Sequence, residues 1–153
     1  MLSAVSRHSV WNRFWGGWDF LVLDATHQRV GAVETHAISI GGVEHFVHGN
    51  SWSREGFTVS GEENCLVARK ERSLGEYPMD FRIEDRNIRY FLTMESRWGT
   101  SLLADYDKRL GTIAWEEDVR FIRVELPDDM PLMLRLFPVW LVIYYSYKLD
   151  QFD

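Results

Sequence analysis

The C-terminal run Leu136–Tyr147 constrains the fold of this 153-residue chain more than any other segment. It reads LFPVWLVIYYSY, carries no charge and leaves no polar face for water. A helix that spans a membrane needs about 20 apolar residues, and this run is clearly shorter. A helix that is apolar all round is stable in water only when it is buried on every side. The run therefore predicts a buried core helix and no integral membrane span.

The residues before this run indicate where the helix begins. Leu126–Pro131 is an acidic connector that contains two prolines. Asp128 or Asp129 can cap a helix whose first turn holds the second proline. The sequence thus predicts a buried C-terminal helix over residues 130–149, and Pro138 should kink or restart it.

The region from Trp18 to Leu126 has the pattern of an antiparallel β-structure. Short apolar or alternating runs are separated by turn residues about every 8 to 12 positions, and in Met79–Glu84 apolar and charged residues alternate strictly. Such alternation gives a strand one buried face and one wet face. The predicted strands are Trp18–Asp24, Val30–Ile38, Val43–Val47, Gly56–Ser60, Leu66–Arg72, Met79–Glu84, Ile88–Glu95, Ser101–Tyr106, Gly111–Glu116 and Arg120–Leu126.

These elements predict one fold class, because about ten strands and an apolar helix need a shared interior. We expect a mainly β protein, a closed antiparallel β-barrel of about ten to twelve strands around the hydrophobic C-terminal helix. The length fits a single domain over 1–153. It divides into an N-terminal aromatic segment at 1–17, a strand region at 18–126 and the helix. Asp24–Val33 and Asp105–Ile113 resemble each other, which indicates either two related halves or two ordinary hairpins.

Composition narrows the function classes. Seventeen basic and 23 acidic residues give a net charge of −6, and a nucleic-acid partner requires a basic face. A single cysteine, Cys65, removes any disulfide framework or multi-cysteine zinc site. The single cysteine, together with the absence of a signal-peptide pattern at the N-terminus, favours a cytoplasmic protein. Neither a Gly-x-Ser-x-Gly elbow nor a phosphate loop occurs, so we expect no catalytic residues, no enzyme activity and no cofactor.

Histidine and acidic residues cluster between positions 34 and 48. Glu34, His36, Glu44, His45 and His48 could supply metal ligands. A metal site needs three or four convergent ligands, whereas a regular strand points His45 and His48 to opposite faces. Ordinary surface histidines, with no metal, are the favoured interpretation.

Arg69, Lys70 and Arg72 form the densest basic patch and are candidates for binding a ligand or a phosphate group. On a strand, Arg69 and Glu71 face one way while Lys70 and Arg72 face the other. The charge is then split and partly self-paired, which favours a solvated edge strand guarded by charge.

Tryptophans form a second candidate binding segment near the N-terminus. Trp11, Trp15 and Trp18 lie close together in the sequence, and Trp15-Gly-Gly-Trp18 is similar to the opening of lipocalin-type barrels. We favour rings that close the barrel end or cover the final helix. A ligand mouth lined by aromatic side chains is the alternative.

The C-terminal residues resemble those of a known superfamily. Leu126-Pro127, the acidic connector, Val139–Tyr147 and Phe152-Asp153 are similar to the ending of the tubby C-terminal-like superfamily, which includes LURP-one-related proteins and phospholipid scramblases. The resemblance implies a closed barrel around a central helix, and a binding or scaffold role at lipid headgroups or a protein partner.

The chain also departs from these proteins. Asp128-Asp129 lacks the alternating oxygen ligands of a calcium loop, the cysteine cluster of scramblases is missing, and an acidic chain does not match the basic phosphoinositide pocket of tubby proteins. The resemblance therefore supports the fold more than an activity. The alternative function is a lipocalin-like carrier, with a small hydrophobic ligand in a hollow barrel and the C-terminal segment packed outside.

Overall fold

A computed structural model describes residues 1–7, 17–49, 56–60, 65–72, 77–84, 89–96, 101–116 and 120–150. These ranges contain twelve β-strands and one α-helix. The strands are β1 (Leu2–Ser6), β2 (Asp19–Leu23), β3 (Arg29–Glu34), β4 (Ala37–Ile40), β5 (Val43–Gly49), β6 (Gly56–Ser60), β7 (Cys65–Arg72), β8 (Met79–Glu84), β9 (Arg89–Met94), β10 (Ser101–Asp105), β11 (Lys108–Trp115) and β12 (Phe121–Glu125). The helix is α1 (Leu132–Asp150).

The strands form one closed barrel. Each strand pairs with its neighbour in the sequence, and β12 pairs with β1 to close the ring. All pairs are antiparallel, so the odd-numbered strands run from the end where α1 begins, here called the lower end, to the end where α1 finishes, the upper end. Closure leaves no strand with an unpaired edge.

The helix α1 occupies the lumen of the barrel. Leu136, Phe137 and Ile143 have no exposed surface. Its contacts reach strands that lie far apart around the wall: Trp140 Nε1 donates to the Glu34 carbonyl on β3 at 3.0 Å, and the Tyr145 ring lies 4.9 Å from Phe81 on β8. The structure confirms the predicted closed antiparallel barrel around a hydrophobic C-terminal helix.

Aromatic rings tie the helix to the wall. Trp140 stacks between Phe137 and Tyr144 at centroid distances of 6.4 Å and 5.1 Å, because residues three and four apart share a helix face. Phe57 on β6 meets the Trp140 ring edge-on at 4.9 Å, and Trp18 lies 5.9 Å away. The Trp140 indole is thus surrounded by rings from the helix and the wall.

Two differences from the prediction raise the number of strands from ten to twelve. Leu2–Ser6, assigned to the N-terminal aromatic segment, is strand β1, and the strand region therefore begins before residue 18. The predicted strand Val30–Ile38 is two strands, β3 and β4, which are separated by Thr35 and His36. The Thr35 hydroxyl accepts a hydrogen bond from Trp18 N at 2.7 Å. Five residues such as LSAVS show too little periodicity to identify a strand without its partners.

The helix prediction is accurate to two residues at its start and one at its end. α1 begins at Leu132, where the Pro131 carbonyl accepts from Leu134 N and Arg135 N at 3.0 Å and 3.3 Å. It continues through Pro138 as one element, so no restart occurs there. No helix in the described part of the chain combines the length and apolar character needed to cross a membrane.

The two similar stretches fold as similar hairpins. The β2–β3 and β10–β11 pairs each contain a register shift, and each turn has one non-glycine residue with positive φ, His27 and Tyr106. Related halves of a twelve-stranded barrel would place the two hairpins six strands apart, whereas they lie eight apart in chain order. The structure therefore favours two ordinary bulged hairpins over a duplicated half-barrel.

Candidate functional site

The wall has a groove on the outer face of β3, β4 and β5, which we call the outer groove. Its volume is about 940 Å³, near the upper end of the range of ligand sites. The groove is lined by Arg7, Arg29, Val30, Gly31, Glu34, Ser39, Gly41, Gly42, Val43 and Glu44.

Gly31 on β3 and Ser39 on β4 are small residues that line the outer groove. Ala32 on β3 lies opposite Ser39 on β4, which lies opposite Glu44 on β5. These three residues share the outward face, because Val33 and Ile38 of the adjacent row are buried in the core. β4 has only four residues, and its short side chains leave a depression between the longer ones of β3 and β5.

Charged groups of both signs line the outer groove. At its upper end, the Arg7 guanidinium lies 2.9 Å from an Asp19 carboxylate oxygen and 3.8 Å from Glu34. Arg29 and Glu44 are exposed, and neither has an ion-pair partner among the described residues. These two groups are therefore available to an external ligand.

Strand β5 adds exposed apolar surface beside the outer groove. In β8 every second residue is buried, whereas β5 buries only Val47. Phe46 is 54% exposed and Val43 is 47% exposed. Of the four large hydrophobic residues exposed in the described ranges, two lie on this strand. Phe46 is two positions from Glu44 and shares its outward face, whereas Val43 lies on the opposite face of β5 at the end of the strand and also lines the groove.

The predicted basic patch is divided between two faces. Lys70 lies opposite the buried Phe81, and its Nζ is 5.8 Å from the centre of the Tyr145 ring. Arg69 is exposed and lies opposite Arg82, whose guanidinium pairs with Glu71 at 3.2 Å.

For Arg72 the structure describes the backbone, which pairs with Asp80. The predicted split of Arg69 from Lys70 is confirmed, whereas among the described residues Glu71 pairs with Arg82 of β8 and not within the patch. The edge-strand interpretation is wrong, because β7 pairs with both β6 and β8.

Among the residues that the structure describes, the candidate tryptophans do not line a ligand-binding mouth. Trp18 is buried and packs on Trp140, as expected for a ring that covers the final helix. Trp11 and Trp15 lie outside the described residues.

The histidines that suggested a metal site are dispersed. His36 and His48 are exposed, and His45 Nδ1 is hydrogen-bonded to the Ser60 carbonyl oxygen at 2.8 Å. Across the described ranges, no three His, Cys, Asp or Glu side chains are grouped to hold a metal ion. Cys65 is an exposed free thiol.

One half-buried tyrosine has a raised pKa. Burial raises the pKa of the Tyr144 hydroxyl, so this side chain remains neutral at physiological pH. Its ring stacks on Trp140, which indicates a role in packing the lumen.

The outer groove is not predicted from the sequence, although Arg29 and Glu44 lie in segments with features described above. Arg29 belongs to the first of the two similar hairpins, and Glu44 was considered only as a metal ligand. The available signal was the pair Gly41-Gly42, which closes a hairpin between two short apolar runs. No protein-family model, curated protein or solved structure matches this chain.

Proposed function

We propose that this chain is a non-enzymatic, tubby-like binding or scaffold domain of the cytoplasm, which binds a protein partner on the outer wall of its barrel. The observation that supports this proposal most directly is the position of α1. Its side chains fill the lumen, with Leu136, Val139 and Leu141 fully buried. A barrel filled by its own helix offers no hollow interior to a ligand, so binding falls to the loops and outer faces.

The filled lumen also separates the two candidate functions. A lipocalin-like carrier needs a cavity inside the barrel. Here Trp140 makes contacts with Phe57 and Trp18 in that position, and Trp115 Nε1 donates to the buried Ser146 hydroxyl at 3.2 Å. An apolar ligand would have to displace these contacts, so the binding module is the better supported function.

Charge favours a protein over a lipid surface. The net charge is −6, and anionic membranes attract clusters of basic residues. The residues of the predicted basic patch do not share one face, since Arg69 is exposed on the outer wall and Lys70 lies over the Tyr145 ring. This arrangement supplies no concentrated positive surface for headgroups.

Three probes test the proposed function on the full chain: a fluorescent fatty acid, vesicles that contain an anionic phospholipid, and a displayed library of random peptides. We expect enrichment of peptides, no saturable uptake of the fatty acid and no strong flotation with the vesicles at physiological salt. Stoichiometric fatty-acid binding would favour the carrier instead. Tight, salt-sensitive flotation that is lost in a variant with Arg69, Lys70 and Arg72 changed to alanine would favour a headgroup-binding domain.

A further inference from the structure

We propose that the outer groove binds an extended segment of a partner protein, which presents an acidic side chain to Arg29 and a basic side chain to Glu44. This inference rests on the proposed function and deepens it by naming the surface and the chemistry of the partner. It is carried by the groove itself, by two exposed groups of opposite charge in its lining and by the apolar residues of β5 beside it.

The dimensions of the outer groove suit a short extended peptide. Along β3 its lining runs from Arg29 to Glu34, a six-residue strand. At a rise of about 3.3 Å per residue this length is roughly 17 Å. A peptide segment of five or six extended residues would cover the same distance.

Recognition must involve side chains and not the addition of a strand. β4 pairs with β3 on one side and with β5 on the other, so its backbone in the groove offers no free edge for a peptide to extend the sheet. At the lower end, a Cβ on Gly41 or Gly42 would meet nothing within 4 Å. The turn therefore leaves that mouth of the groove open.

The charges fix the polarity of the bound segment. Arg29 lies at the lower end of β3, while Glu44 lies opposite Ser39 further up the groove. Glu34 adds a second carboxylate near the upper end, already 3.8 Å from Arg7. An acidic residue of the partner then belongs at the lower end and a basic residue above it, because opposite charges across an interface determine register and orientation.

The apolar residues of β5 provide an anchor beside these charges. Phe46 lies two residues beyond Glu44 on the same face of β5 and is 54% exposed. An aromatic side chain of this kind supplies binding energy when a partner covers it. We therefore expect an apolar residue close to the basic residue of the bound segment.

A charge-swap selection tests the inference. A displayed library of random octapeptides is selected separately on the wild-type chain, on the double variant Arg29→Glu, Glu44→Arg and on the control Arg109→Glu. Arg109 is the matched control because it is an exposed arginine of the second bulged hairpin and does not line the groove. Melting curves of all three proteins establish that they are equally folded.

We expect wild-type peptides to contain an acidic and a basic residue in a constant order and to bind the double variant about tenfold more weakly. The double variant should select the reverse order, and Arg109→Glu should bind like the wild type. Equal binding of the peptides to wild type and double variant would overturn the groove assignment while leaving the proposed function in place. Failure to enrich any peptide, together with fatty-acid uptake, would overturn both.

Self-association provides the remaining outcome. If light scattering showed a wild-type dimer that the double variant does not form, the occupant of the groove would be a second copy of this chain, and the partner-segment proposal would be wrong. A monomer in both proteins is the expected result.

Discussion

At the scale of single residues, two glycines determine how closely neighbouring strands approach. A Cβ on Gly31 would lie 2.6 Å from the Ser39 carbonyl oxygen and 3.4 Å from Leu136 Cδ1. A Cβ on Gly111 would overlap the Glu125 carbonyl oxygen. The Ser39 and Glu125 carbonyl oxygens are backbone atoms, which cannot rotate away as a flexible side chain can. In both hairpins the glycine therefore allows β3 or β11 to lie close to the strand that follows it, β4 or β12.

We expect Gly111→Ala to destabilise the protein by about 3 kcal/mol, because overpacking against the backbone forces the strands apart. For a chain of this size that corresponds to a melting temperature lower by roughly 6–12 °C. Gly49→Ala is the matched control: its Cβ would meet only the Phe57 ring, at 3.9 Å. A Gly111→Ala protein that melts with the control would show that β11 and β12 are less closely packed.

Trp140 contributes through packing and one hydrogen bond. Its side chain is 2% exposed, and its indole N–H donates to the Glu34 carbonyl. We expect Trp140→Ala to cost about 3–5 kcal/mol, a large part of a typical domain stability of about 5–15 kcal/mol. Thermal unfolding measures the loss. Phe46→Ala removes an exposed ring and should change stability by no more than about 0.5 kcal/mol.

At the scale of elements, the β2–β3 turn is held by one carboxylate. Asp24 Oδ1 accepts hydrogen bonds from Thr26 N, Thr26 Oγ1 and Gln28 N at 2.8, 2.7 and 3.0 Å. These bonds, chiefly that from the Thr26 side chain, lower the pKa of the Asp24 carboxyl below its usual 3.8. Since the folded pKa is depressed, the stabilisation is present above the unfolded pKa and is lost as pH falls through the folded value.

Replacing Thr26 tests this relation directly. We expect Thr26→Val to raise the pKa of Asp24 towards 3.8, because the largest favourable contact of the charged form is removed. NMR titration of the carboxyl carbon measures the shift. Thr58→Val on β6 serves as a threonine control away from this turn. An unchanged Asp24 titration would indicate that the hydroxyl contact does not persist in solution.

The helix α1 is an element that the barrel requires. Val139, Trp140 and Ile143 are buried inside the barrel, so their removal would leave the lumen without its packing. We expect deletion from residue 138 onward to abolish cooperative folding, observed as loss of the thermal transition and of the near-ultraviolet circular dichroism signal. A deletion protein with a cooperative transition would mean that the barrel is stable when hollow, and the carrier function would then be favoured.

At the scale of the whole molecule, closure of the barrel depends on its first strand. β1 pairs with β12 through Leu2–Val5 and with β2 through Ser3–Ser6. Without it, β2 and β12 would each expose an unpaired edge, and open edges pair with other chains. A segment of five residues thus completes the ring of twelve strands.

We expect removal of residues 1–6 to cause association through the exposed edges, measured as a concentration-dependent increase in mass by light scattering. Arg7→Ala provides the control, since it removes the ion pair with Asp19 and keeps β1. A truncated protein that remains monomeric with an unchanged strand signal would show that the barrel does not depend on β1 for closure.

The sequence alone determined the architecture. A charge-free run that must be buried on every side, preceded by period-2 runs with one apolar face, is compatible with few arrangements other than a barrel around a helix. The separation of Arg69 from Lys70 also followed from the alternation of a strand. These features are local, so they can be read from neighbouring residues.

Tertiary structure decided the remaining features, because they depend on pairing between distant segments. β1 becomes a strand by pairing with β2 and with β12, and β12 lies more than 100 positions away. The outer groove combines Arg7, Arg29 and Glu44, which the pairing of successive strands from β1 to β5 brings together. Register is specified by the buried face, whereas these residues lie on the outer face, where the sequence pattern carries no such constraint.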